Sequence, residues 1–245
     1  MKWIPKILLP ISCVLLTILS LVAFSTSLET ASDINPSYAI IKGNKDVSAK
    51  EINFKLTEDY FAQKRNNPKV IAWIAVPDVC YYPVMYSGDN VFYLTHDEND
   101  EYNKRGALFL NADVNKDFKQ QISLVHGHHM YDGTGLAQLK KYKSEDFFQQ
   151  NPYIEVFDGE TLRLYKPFTV LLYKDEVQWI EQKNKTTKEH YNYMKQLYEK
   201  SEVKMKSEEK PDFNAQAIFL STCDYSFNDA RLIVGAYLVK SYRYY

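Results

Sequence analysis

Hydrophobic positions along this 245-residue chain fall into three regimes: an unbroken apolar run over residues 7–24 (ILLPISCVLLTILSLVAF), a polar stretch over 25–47, and short apolar runs separated by polar turns from residue 48 onward. Eighteen residues at about 1.5 Å each make about 27 Å of helix, close to the hydrocarbon thickness of a bilayer. Trp3 suits one interface, Lys2 and Lys6 precede the run, and no basic residue follows until Lys42. The positive-inside rule then leaves the N-terminus in the cytoplasm. The pattern predicts a cytoplasmic N-terminus at 1–6, a transmembrane signal anchor at 7–24, a linker at 25–47 and an extracellular domain at 48–245. The chain would thus be a single-pass protein of the cell membrane. Small residues at Ala23 and Ser25 also fit a cleaved signal peptide, and either reading exports the remainder.

Within 48–245 the period changes twice. Residues 48–65 place Ile52, Leu56, Tyr60 and Phe61 at near-helical spacing, with Ser48 and Glu51 forming a capping box. Runs at 70–76, 81–86, 107–111, 122–126, 153–157, 161–165 and 168–173 are rich in β-branched and aromatic residues and bounded by Pro, Gly, Asn and Asp, as strands are. Asp158-Gly159 marks a hairpin. Residues 187–198 (TKEHYNYMKQLY) and their charged continuation to Lys206 predict a helix, and 217–223 and 231–239 are two last strands. The expected fold is mainly β: one closed β-barrel with an N-terminal helix and a helix-containing insertion before the last two strands.

Composition changes this picture little. Thirty Lys and Arg against 31 Asp and Glu leave a formal net charge of −1, which supplies no electrostatic footprint for nucleic acid. The three cysteines, Cys13, Cys80 and Cys223, cannot form a disulfide scaffold in a chain of this size. Cys13 lies in the apolar run, and Cys80 at the start of a strand-like run reads as a buried thiol. Pairing of Cys80 with Cys223 stays open.

The chemistry gathers at the end of the chain. Cys223 closes one predicted strand and Arg231 opens the next, so an antiparallel hairpin sets a guanidinium beside a thiol and favours thiolate. A structural cysteine beside a surface arginine is the competing reading. Three of the five histidines fall at His126, His128 and His129, after another predicted strand. Cysteine with a spatially adjacent histidine is the minimal set for thiol acyl transfer. His126 and His128 sharing one side of a strand would also suit a metal, but no third ligand stands out. The acidic run 97–101 (DENDE) reads as a solvated loop, and Tyr93, Tyr131 and Tyr225 as rim or core residues near the site.

Leu220-Ser221-Thr222-Cys223, then Arg231, with Gly127-His128-His129-Met130 far upstream and an Asp132-Gly133 turn, resemble the sortases, membrane-anchored cysteine transpeptidases of Gram-positive bacteria. The Gly-His-His-Met form, the N-terminal helix and the insertion between residues 175 and 214 are similar to class B, and within it to streptococcal pilus-polymerising enzymes. The resemblance implies that Cys223 is the nucleophile toward a C-terminal sorting motif of secreted surface proteins or pilins. It makes His128 the general acid, with His129 its nearest rival, and Arg231 the group that stabilises the oxyanion. Asn90, Leu94 and Ser221 would line the peptide groove. The acyl group would pass to an amine, a pilin lysine or a peptidoglycan cross-bridge, with no cofactor and no metal. A non-catalytic exported module that binds peptide or wall is the alternative, and a thiol protease using water a third.

Overall fold

The computed structural model describes residues 54–151, 153–174, 186–203 and 210–244. The predicted capping box at Ser48 and Glu51, the linker and residues 7–24 lie outside them, as do 175–185 and 204–209 of the insertion. The expected single-pass membrane location is corrected: among the described residues no helix is long and apolar enough to cross a membrane.

Eight strands close into a barrel. They are β1 (Val70–Val76), β2 (Cys80–Met85), β3 (Leu108–Leu110), β4 (Ile122–His126), β5 (Ile154–Phe157), β6 (Thr161–Lys174), β7 (Ala217–Cys223) and β8 (Ala230–Arg243). Their order around the barrel is β1-β2-β3-β4-β7-β8-β6-β5, closed by β1 against β5. The pairs β2/β3 and β4/β7 are parallel and the others antiparallel. The two runs predicted at 161–165 and 168–173 are one strand, β6. Pro167, which has no N–H to give the ladder, sits at a bulge where Pro167 opposes Ala236 and Thr169 opposes Gly235. The extra residue bends the strand without ending it.

Alternation along each strand sorts side chains to two sides. Ile74, Val125, Ile218, Leu220, Leu232 and Val234 fill the barrel interior. Leu124, Phe219, Ile233 and Tyr237 face outward against a helix, α3 (Thr187–Glu199), which buries His190, Met194 and Leu197 at i, i+4 and i+7. Thr186 and Glu189 form the capping box that starts it. The N-terminal helix α1 (Phe54–Asn66) lays Leu56 and Tyr60 on Trp73, Phe157 and Leu162. A third, short helix, α2 (Glu145–Gln150), follows a 3-10 segment at Ala137–Lys143.

Candidate active site

Three pairings bring the predicted site residues together. In the β7/β8 hairpin Cys223 is the register partner of Arg231. On the other flank of β7 the parallel strand β4 sets His126 beside Ser221, and Gly127 N–H donates to Ser221 O at 3.1 Å. Beyond β8, Tyr173 of β6 lies opposite Arg231. Cys223 and Ser221 alternate with the interior residues Leu220 and Ile218, so the site stands on the outer face of the barrel, with Phe219 and Ile233. There a cavity of about 460 Å³ is lined by Cys223, Arg231, His128, Ser221, Asn90 and Leu94 among others.

The Arg231 guanidinium donates through Nη1 to Cys223 Sγ. Both described cysteines are free, so the disulfide left open by the sequence does not form. Cys80 is buried, and burial pushes its thiol up to about 12, which leaves it inert. The turn after Cys223 is fixed by Asp224. Its N–H donates to Ala230 O at 2.8 Å, and its carboxylate accepts from Lys143 Nζ at 2.7 Å and from the Ser226 N–H at 2.9 Å.

The two rival histidines have different surroundings. His128 lines the cavity, and its Nε2 lies 2.7 Å from Leu94 O. A carbonyl oxygen only accepts, so Nε2 carries the proton there. Its ring rests on Gly106, whose missing Cβ would lie 3.1 Å from His128 Cδ2. His129 is not among the cavity-lining residues; its Nδ1 donates to Cys223 O at 2.9 Å.

Of the expected groove residues, Ser221 is buried, Leu94 is exposed, and the Asn90 Oδ1 accepts from the Ala112 N–H at 2.8 Å. Tyr93 is a core residue, 1% exposed and bonded through its hydroxyl to Asp100. Tyr131 and Tyr225 are exposed and stack, centroids 5.9 Å apart. The acidic loop is less solvated than expected. Asp97 is 8% exposed and accepts from the N–H groups of Asn99 and Glu101, while Asp100 pairs with Lys69. Among the described residues no group of three or more His, Cys, Asp or Glu is placed to hold a metal.

Sequence reasoning passes over three contributors. Asn111 Nδ2 donates to His126 Nε2 at 3.2 Å, its orientation set because Asn111 Oδ1 accepts from the Asp113 N–H. Only an unprotonated nitrogen accepts such a bond, so His126 stands in the cavity wall as a neutral ring. Tyr173 and Lys174, from the end of β6, complete that wall. None of these carries a local motif; only the barrel order brings them to the cavity.

No family model matches the chain. It is 25% identical to sortase B of Listeria monocytogenes over 198 residues, 80% of either protein. To sortase B of Staphylococcus aureus it is 26% identical over 195 residues, covering 71% of this chain and 72% of that protein. The X-ray structure of Clostridium perfringens sortase B superposes with a TM-score of 0.67 at 29% identity, covering 74% of this chain and 99% of that one.

Proposed function

We propose that this chain, which is a class B sortase and so a cysteine transpeptidase, works through Cys223, His128 and Arg231. The observation that carries this reading is the contact of Arg231 Nη1 with Cys223 Sγ on the wall of a cavity that His128 also lines. A guanidinium stays charged at all working pH values and stabilises negative charge, first on the sulfur and then on the oxyanion.

In the forward half-reaction Cys223 Sγ, as thiolate, attacks the carbonyl carbon of a sorting motif. The C–N bond breaks, and the leaving amine takes a proton from His128. Substrates bearing a sorting motif are the general kind of partner. Asn90, Leu94 and Ser221 line the groove on which the donor peptide lies. In the second half-reaction a primary amine attacks the thioester, its proton passes to His128, and the C–S bond breaks to return the thiolate. A pilin lysine and a peptidoglycan cross-bridge amine both satisfy this chemistry.

The test is intact mass of the protein after incubation with a pool of sorting-signal peptides, with and without amine. A peptide-sized adduct on Cys223 that disappears on adding amine, with the peptide–amine product formed, is the expected result. Lysine ε-amine and cross-bridge peptide acceptors, offered in parallel, distinguish the two classes. A folded protein whose Cys223 alkylates readily but never forms an adduct favours the binding-module alternative, and release of the peptide to water regardless of amine favours a protease.

A further inference from the structure

The parallel ladder between β4 and β7 ends abruptly. Its last backbone bond runs from Gly127 N–H to Ser221 O. Bonds along one edge of a parallel ladder recur every second residue, so the next acceptor is Cys223 O and the next donor would be the N–H of residue 129. The chain has left the strand by then, since β4 stops at His126, and the backbone of His129 turns back to bridge Gly135. The Cys223 carbonyl is nonetheless taken, by the His129 side chain, Nδ1 donating at 2.9 Å. A return tie runs the other way: the Tyr225 hydroxyl donates to His129 O at 3.3 Å, and the two rings lie 5.0 Å apart.

We propose that His129 is a positioning residue whose imidazole replaces the missing ladder N–H, pins the Cys223 carbonyl, and so holds the nucleophile in register with the loop carrying His128. The roles of Cys223 and His128 in this proposal are those of the transpeptidase reading above. A carbonyl left unpaired at this half-buried strand end costs free energy and loosens the β4 side of that end, the side not held by β8. Here that loosening would move Sγ against both Arg231 and the His128 ring. Because Nδ1 is committed to the carbonyl and the ring stands off the cavity wall, His129 acts through Cys223 and not on substrate.

Two substitutions separate this role from the alternatives. His129→Asn sets an amide Nδ2 donor where Nδ1 stands, whereas His129→Phe keeps a ring against Tyr225 and removes the donor. In the purified protein His129→Phe should lower kcat for peptide transfer by about tenfold to a hundredfold with KM nearly unchanged, and His129→Asn should return to within about threefold of the parent. The same order should appear in alkylation of Cys223 by iodoacetamide at neutral pH, which needs no peptide. If parent and variants alike fail to transfer peptide, the transpeptidase reading falls and the alkylation comparison still decides this one. A Phe variant that alkylates at the parental rate overturns the proposal, as does an Asn variant as impaired as Phe. Should His129→Phe fail to fold, His129→Gln, whose donor reaches past the Nδ1 position, should be impaired, and a parental rate there overturns it equally.

Discussion

Cys223 and Arg231 are register partners across the β7/β8 hairpin, and their side chains meet on the outer face of the barrel with Nη1 donating to Sγ. The contact is a consequence of antiparallel pairing: directly opposite residues on one face of a sheet bring their side chains within reach. A charged donor placed there is preorganised for the charge that develops during acyl transfer. Arg231→Ala should lower kcat/KM by about 10²- to 10³-fold, and Arg231→Lys, which keeps the charge but not the planar fork, should recover part of that. Cys223→Ala should show no turnover. Steady-state peptide transfer with a parallel thermal melt checks both. Parental activity in Arg231→Ala would remove the guanidinium from the mechanism.

The legibility of this pair in the sequence follows from its locality. Eight positions separate the two residues, and the strand period sets them opposite without knowledge of the rest of the fold. His128 is different, because its place in the cavity that Cys223 lines depends on β4 running parallel to β7, a pairing between distant segments that no local pattern announces. The motif resemblance supplies that link. The choice between His128 and His129 depends on where each ring points once the chain leaves β4, which the strand period no longer governs. Pro167 misleads in the other direction: a proline inside an apolar run reads as a break, yet here it occupies a bulge within β6. The buried Asp97 is equally hidden, because its partners are groups of its own loop, the N–H groups of Asn99 and Glu101 and the Asn103 side-chain amide.

Gly106 links backbone conformation to the site. Its φ is +61°, and a Cβ there would clash with Tyr93 O and lie 3.1 Å from His128 Cδ2. Gly106→Ala should therefore lose stability and also displace the His128 ring, lowering kcat beyond any loss of folded protein. Gly88 is the control: φ is +82°, but nothing lies within 4 Å of its Cβ position. Gly88→Ala should cost only the left-handed strain of about 1 kcal/mol and leave kcat alone. Equal effects on kcat in the two variants would sever the proposed link between Gly106 and His128.

Lys143 and Asp224 anchor the turn that follows Cys223. The Asp224 side chain is 5% exposed, and that of Lys143 is 35% exposed. Burial alone would raise the Asp224 carboxyl, but the bonds from Lys143 and Ser226 outweigh it and hold it below the usual carboxylate range. A carboxyl lowered in the folded state contributes stability above its unfolded value, near 3.9, and loses it as pH falls through the folded one. Lys143→Met should thus destabilise the protein by about 1–3 kcal/mol at neutral pH, toward the lower end because Lys143 is partly solvated. The difference from the parent should shrink in acid, once Asp224 is protonated. Urea unfolding at neutral and acid pH measures it, and a penalty independent of pH would show that the ion pair is not its source.

Glu155 gives the opposite sign. It lies on β5 between Ala75 of β1 and Leu164 of β6, is 5% exposed, and burial pushes its carboxyl up to about 7. In the folded protein it keeps its proton through a range where the unfolded chain has lost it, so the folded state binds more protons there and stability falls as pH rises. The window opens near the unfolded value of about 4.3 and closes near the folded value of about 7. The penalty above it is on the order of 4 kcal/mol at most. Glu155→Gln removes the titration while keeping the size of the side chain. The variant should match the parent near the bottom of the window and exceed it in stability above pH 7, with peptide transfer unchanged because Glu155 is not in the cavity wall. Denaturant unfolding of both proteins across this range decides the matter: a stability difference that does not grow with pH would mean that Glu155 is charged in the folded barrel and satisfied there.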